Sequence, residues 1–386
     1  MICYANTRPT PFKIFNKGVI WIFCFILTLK AYFPNIIPHF RIFFKVNRKF
    51  FRKSLDYLLS FVYNIGSDDK MNRKKERNHL FMANEKTTAQ EPIKPKRRRR
   101  WGDRKDGYKV RTINPMNKFM PYVMPQRCDA CNTYADEFDV TKTDRFCREK
   151  VKEGKKNFSF LHIMIASYLR AVSQYPALNR FVSGQKIYSR HDIQVVMTIK
   201  KTMSLDSPDT CIKVRFEPDD TVDEVYEKFN AVVEEIKNQP DDKTSFDKLN
   251  KVLSLIPGLL CRWAVKFLNF LDYFGWLPKS LLWLSPFHGS MIITSMGSLG
   301  IRPIYHHIYN FGNLPIFISY GGRRSMLTTD REGNVVTKKF IEMKVVTDER
   351  ICDGFYYAAA FKTIKRCVEN PELLDVKPER VVEDID

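Results

Sequence analysis

Phe340-Ile-Glu-Met-Lys-Val-Val346-Thr-Asp-Glu349-Arg-Ile-Cys-Asp353-Gly-Phe-Tyr-Tyr-Ala, running on to Val368-Glu-Asn-Pro371-Glu-Leu-Leu374, is the stretch on which the reading of this chain turns. Its first part alternates Ile341, Met343 and Val345 with Glu342 and Lys344, the two-residue period of a strand with one covered face. From about Gly354 to Glu369 the pattern becomes helical, and Asn370-Pro371 ends it, because a residue before proline is biased away from the α region. A strand, a short charged turn and a helix therefore follow one another.

Working outward, the same two periods recur. Phe158, Leu161, Ile165, Leu169 and Val172 fall at spacings of three and four, so residues 158–172 are expected as a helix laid on a core. Residues 193–199 and 212–216 are β-branched and bounded by polar turns, which reads as two strands. Thr221 with Glu224 forms a capping box, and Val222, Val225, Tyr226, Phe229, Val232, Val233 and Ile236 then run down one helix face. Residues 291–294, 314–319 and 340–346 are expected as further strands. Helices and strands mix without regular βαβ spacing, which predicts an α+β fold, a two-layer sandwich of one large mixed sheet with helices packed on it. Residues 253–286, dense in Leu, Phe and Trp, contain Arg262, Lys266, Asp272 and Lys279, and are broken by Pro257, Gly258, Gly275 and Pro278. No clean span of 18 apolar residues exists there, so two amphipathic helices joined at a turn are expected. Their apolar surplus asks for cover, as an oligomer interface or core lid, an acyl-chain tunnel or a membrane-surface patch.

The chain has 386 residues, 44% of them apolar, and a formal net charge of +21. That charge is unevenly placed. Residues 1–112 carry 26 Lys and Arg against 8 acids, whereas residues 113–386 carry 38 against 35, so the folded part gives little reason to expect nucleic acid as a partner. Three segments are expected: an apolar and basic extension at 1–81, a basic, disordered linker at 82–112 containing Lys94-Pro-Lys-Arg-Arg-Arg-Arg100, and one large folded domain at 113–386. Residues 18–29 lack a charge but fall short of the roughly 20 residues that cross a bilayer. Two readings stand for the extension: a single anchor and membrane contact through residues 18–33, or sequence upstream of a start at Met71 or Met82. The second goes with a cytoplasmic location. Nine scattered cysteines read as reduced thiols, and the one Cys128-x-x-Cys131 lacks the second pair that a zinc site would want, so no metal is expected.

The opening stretch resembles the C-terminal signature of the dihydrolipoyl acyltransferase catalytic domain, which reads Asp-His-Arg-x-x-Asp-Gly, then a helix, then Asn-Pro or Asp-Pro. Met291-Ile-Ile-Thr-Ser-Met-Gly-Ser-Leu-Gly300, followed by Pro303-Ile304 and residues 314–321, is similar to that family's Thr-Ile-x-Asn-x-Gly block. A third, weaker likeness is the run from Phe158 to Tyr175-Pro-Ala-Leu-Asn-Arg180. The three blocks stand in the family's order, and the resemblance covers most of residues 113–386. It implies the chloramphenicol acetyltransferase-like fold, homotrimers with active sites between subunits, acyl-CoA as substrate, and a small thiol, hydroxyl or lipoyl group as acceptor.

The same resemblance implies roles for three residues. Glu349 stands where the family has its catalytic histidine, Thr294 matches the hydroxyl that stabilises the oxyanion, and Asp353 matches a carboxylate making a structural ion pair with an arginine not identifiable from sequence. Arg350 keeps the family identity and is expected to be structural. A free glutamate near 4.3 is roughly four units below a thiol near 8.5, so an ordinary glutamate faces about 5–6 kcal/mol of uphill proton transfer. Either burial of Glu349 closes that gap, or His288, His306 or His307 serves instead. The expected function is a CoA-dependent acyltransferase without a lipoyl domain; the alternative is a catalytically inactive trimeric binding or scaffold protein.

Overall fold

In the computed structural model residues 99–200, 209–238, 257–330 and 332–384 are described, all within a unit spanning Pro92–Asp386. The extension at 1–81, the apolar run at 18–33, residues 82–98 of the basic segment and the first residues of the 253–286 insertion lie outside the described residues. Along the chain the elements are β1 (Gly107–Lys109), α1 (Pro115–Val123), β2 (Cys131–Asp139), α2 (Thr141–Lys152), α3 (Phe160–Gln174), β3 (Arg180–Ser183), β4 (Lys186–Arg190), β5 (Ile193–Lys200) and β6 (Asp209–Phe216). After them come α4 (Val222–Asn238), α5 (Gly258–Tyr273), α6 (Lys279–Leu284), β7 (Met291–Ser295), β8 (Ile316–Tyr320), β9 (Arg324–Thr329), β10 (Val335–Asp348) and α7 (Gly354–Glu369).

The helices begin where their caps place them. Ser159 and His162 close a reciprocal box at the start of α3, Nδ1 of His162 accepting from the Ser159 N–H at 3.0 Å. Thr221 and Glu224 do the same for α4, with the Thr221 N–H donating to the Glu224 carboxylate at 2.7 Å. Helix α3 is buried on nearly every side, Ile163, Ile165 and Leu169 being wholly covered, because it lies between α4 and α7 as well as over the sheet. Each such side chain contributes about 1.5–3 kcal/mol by leaving water.

The large sheet runs β2-β10-β8-β7-β5-β6, with β9 paired to the first part of β10. Strands β5, β7 and β8 are mutually parallel, and the other pairings are antiparallel, so the sheet is mixed, as expected. Helices α2, α3, α4 and α7 form the second layer, and one core joins Ile163, Leu169, Ile293, Ile318, Val345 and Ile364 across it. A second sheet, β1-β4-β3, was not anticipated from sequence.

Strand β1 precedes residue 113, where the domain was expected to start, and residues 99–112 are tied to the rest by charge. The buried Arg104 guanidinium donates to Asp106 at 2.9 Å, to Asp272 at 2.6 Å and to Ser183 Oγ at 2.9 Å. An unpaired arginine there would be very costly, so these partners fix the segment in place. The insertion does form two helices, α5 and α6, and much of α5 faces solvent.

Candidate functional site

Strand alternation decides where Thr294 points. Met291 and Ile293 belong to the main core under the helices, while Ile292 packs with Val196, Leu314 and Phe317 on the opposite face. Thr294 is therefore on that opposite face, half-buried, near the C-terminal ends of parallel strands β7 and β8. The segment that follows doubles back over it. His306 stacks on Phe317, ring centres 4.1 Å apart and planes 7° from parallel, and its Nε2 lies 3.4 Å from Thr294 Oγ1. The Ile304 N–H donates to Ser319 Oγ at 3.3 Å and helps hold the segment down. The return also needs Gly297, since a Cβ there would stand 2.7 Å from the Gly322 nitrogen. Burial, and His307 beside it, hold the His306 imidazole below its usual value, so it is neutral and able to accept a proton at pH 7.

Glu349 occupies the first turn position after β10. Its carboxylate is exposed in the single chain, and its N–H donates to Ala130 O at 2.8 Å. The turn is held from beneath. Asp348 is wholly buried, and the Arg350 guanidinium donates to its two oxygens at 2.8 and 2.7 Å, while Arg127 Nε lies 3.5 Å away. Arg350 donates further to Met124 O at 2.9 Å, and Arg127 to Gly312 O at 2.7 Å and Val182 O at 2.9 Å. Arg350 is structural, as expected, and Asp348 is the carboxylate it serves.

The sheet register separates the two ends. Thr294 is level with Ser319 on β8, and Ser319 with Lys344 on β10, five residues before Glu349. Glu349 thus lies about 17 Å further along the strand direction and two strands away, so one chain does not bring it to Thr294. Asp353, expected in an ion pair, instead caps α7: its carboxylate accepts from the Tyr356 N–H at 2.8 Å, and among the described residues it makes no salt bridge. The cap position, exposed at the helix N-terminus, satisfies an orphan donor and leaves the buried pairing to Asp348.

His288 is the third histidine to place. It is buried, with Nδ1 2.8 Å from Ser285 Oγ and Nε2 3.6 Å from Asp272. Serine, histidine and aspartate in that order resemble a nucleophilic triad, but Ser285 is buried and Asp272 already pairs with Arg104. Although burial pushes the Asp272 carboxyl up, His288 and Arg104 together hold it well below the carboxylate range, as a structural anion. Next to this group the Lys213 ammonium donates to the carbonyls of Leu282, Ser285 and His288 at 2.9, 2.6 and 2.5 Å, fastening the entry to β7. Cys128 and Cys131 flank a single 3-10 turn, and no group of metal-ligating side chains is found among the described residues. His307, the remaining candidate, is exposed and rests on Tyr309 at 4.9 Å.

No protein-family profile matches the chain, and no curated protein matches it. Solved structures do. The chain is similar to a probable dihydrolipoamide acetyltransferase from Listeria monocytogenes at 14% identity and a TM-score of 0.45, over 72% of this chain and 99% of that one. A chloramphenicol acetyltransferase matches at 11% identity and a TM-score of 0.41, covering 67% and 99%. The catalytic core of a 2-oxoacid dehydrogenase complex from Thermoplasma acidophilum matches at 14% and 0.40, covering 68% and 99%. At such identities the likeness concerns the fold, and the roles of individual residues rest on geometry.

Proposed function

We propose that this chain is a CoA-dependent acyltransferase whose site is completed between two copies, with Thr294 and His306 on one and Glu349 on the other. The observation that carries the reading is the Thr294–His306 pair, a hydroxyl and a neutral imidazole 3.4 Å apart on the sheet face opposite the layer of α2, α3, α4 and α7. In open sheets with parallel strands, ligands sit at the strands' C-terminal ends, which is where this pair lies. The similar structures include an acetyltransferase of dihydrolipoamide and one of chloramphenicol, which are of the same reaction class.

The chemistry follows from the groups. A base takes the proton of the acceptor's thiol or hydroxyl as that atom attacks the thioester carbonyl of acyl-CoA. The carbonyl oxygen becomes an oxyanion, to which the Thr294 hydroxyl donates, and collapse expels the CoA thiolate, which takes the proton back from the base. His306 has the right protonation state for that base. Glu349 is exposed, so the burial that would make a glutamate basic comes only from a neighbouring copy. There its carboxylate orients and stabilises a charged imidazole, as acids do for catalytic histidines elsewhere.

Subunit mixing tests this directly. Thr294→Ala and Glu349→Gln should each lower kcat by more than tenfold in acyl-CoA transfer or hydrolysis. Co-refolding the two inactive variants in equal amounts should restore about a quarter of wild-type activity, because about one interface in four then unites an intact Thr294 with an intact Glu349. No recovery, with trimers formed, removes the shared site. Loss of the imidazole from the motif favours a second reading, a trimeric scaffold without catalysis; wild-type protein that neither binds CoA nor turns over acyl-CoA would establish it.

A further inference from the structure

Helix α5 and the loop after it display aromatic side chains that the described domain does not cover. Trp263 is 68% exposed, Phe267 50%, Phe270 52%, Phe274 50% and Trp276 59%, with Leu259 at 73% heading the helix. The positions 259, 263, 267, 270 and 274 recur every three or four residues, so they make one stripe about 24 Å long down the helix. The stripe is a formed surface: Phe274 stacks on Trp276 with ring centres 4.9 Å apart, and Phe270 meets Phe274 at 5.0 Å.

The charges around it are sorted by sign. Arg262, Lys266 and Lys279 are exposed beside the stripe, the Lys266 ammonium lying 5.5 Å from the Trp263 ring. Lys105 donates to Leu277 O at 3.0 Å, at the Trp276 end, and Arg99 and Lys279 are near enough to push its ammonium down after burial has done so. Among the described residues, the acids packed beside α5 and the loop after it turn inward. Asp272 and Asp106 pair with Arg104, and Asp103, its side chain fully covered, pairs with Arg111. The outer face is left with tryptophan, phenylalanine and cations.

We infer that this face docks on an anionic lipid surface, α5 lying in the headgroup plane with Trp263, Phe267, Phe270, Phe274 and Trp276 inserted and Arg262, Lys266 and Lys279 on the phosphates. Aromatic rings prefer that boundary, and long basic side chains reach from an inserted stripe to the headgroups. No helix among the described residues is long and apolar enough to cross a membrane, so the contact is interfacial. The aliphatic Leu259 and the unbroken stripe favour lipid over single-stranded nucleic acid, for which separated stacking platforms would suffice. This inference stands apart from the acyltransferase reading and uses none of its residues.

The test is vesicle binding by the full chain, on phosphatidylcholine alone and with about a third phosphatidylserine. Binding is expected only with the anionic lipid, with brominated acyl chains quenching the fluorescence lost in Trp263→Phe and Trp276→Phe. Phe267→Ser with Phe270→Ser should weaken binding at least tenfold, and neutralising Arg262, Lys266 and Lys279 to Gln about fivefold per residue. Circular dichroism melts should match the wild type, since the altered side chains are exposed. Four results would each overturn the proposal: equal binding to neutral vesicles; binding unaffected by these substitutions, as the basic run at 94–100 alone would give; binding to single-stranded RNA in place of vesicles; and self-association abolished by the Phe267 and Phe270 changes without vesicle binding.

Discussion

His162 makes stability depend on pH in a way that can be worked out in advance. Its imidazole is 2% exposed, among Phe158, Tyr226 and Phe229, and burial pushes it down to about 4. Its Nδ1 accepts from the Ser159 N–H, which also requires the neutral ring. In the unfolded chain the same group titrates near 6.5. Between those values the unfolded state holds the extra proton, so stability rises with pH: the contribution is complete above about 6.5 and lost as pH falls through about 4. Taken from pH 7 to pH 5, linkage assigns about 2 kcal/mol of lost stability to this residue, and about 3 kcal/mol in all. His162→Gln is the informative change, because Gln at that position still accepts from the Ser159 N–H in a capping box but does not titrate. Urea unfolding at pH 7 and pH 5 should show the wild type losing about 2 kcal/mol more than the variant. Parallel losses in the two proteins would mean that the ring is already charged in the native state, and the argument fails.

Three further outcomes are expected. Asp348→Asn should cost about 3–5 kcal/mol in chemical denaturation, because it leaves the buried Arg350 and Arg127 without their anion; a loss under about 1 kcal/mol would show that the pair is not what holds the turn. Gly312→Ala should reduce the thermal midpoint by several degrees at least, since φ there is +87° and a Cβ would stand 2.1 Å from the Phe287 carbonyl oxygen. If His306 is the base, kcat/KM should fall on the acid side with a midpoint below about 6.5, and His306→Gln should remove that limb; an unchanged profile would exclude the residue.

Much of the sheet and its helix layer was legible because these elements carry their own burial pattern. Residues 193–199, 212–216, 291–294 and 340–346 are apolar wherever they face the core, and α3, α4 and α7 show their stripes and caps. The elements that escaped have nothing comparable. Strand β2 reads Cys-Asn-Thr-Tyr-Ala-Asp-Glu-Phe-Asp, and only Phe138 in it is buried; it is a strand because β10 offers nine partners more than two hundred residues later. Strands β3 and β4 are fully or mostly buried but only four and five residues long, too short for a period to emerge. For the site, the motif drew attention to Asp353, whereas the buried anion is Asp348, five residues earlier; its nearer partner, Arg350, stands in the same motif, but the second, Arg127, comes from more than two hundred residues away and nothing in the local sequence ties it to the turn. His306 was named only as one of three histidines. Its stacking on Phe317 depends on a chain reversal between residues 296 and 304 that periodicity does not encode.

The pairing of β2 with β10 has a consequence for how the protein is made. Residues 131–139 leave the ribosome long before residues 340–348, and among the described residues β2 has no other strand partner. Throughout most of synthesis this segment waits with its ladder unformed, and the loop that must close, some two hundred residues, makes the final step slow more than it makes it weak. Strand β2 therefore joins the sheet only after β10 has been made, and a nascent chain arrested before Asp348 should expose Phe138 and be held by chaperones until β10 arrives.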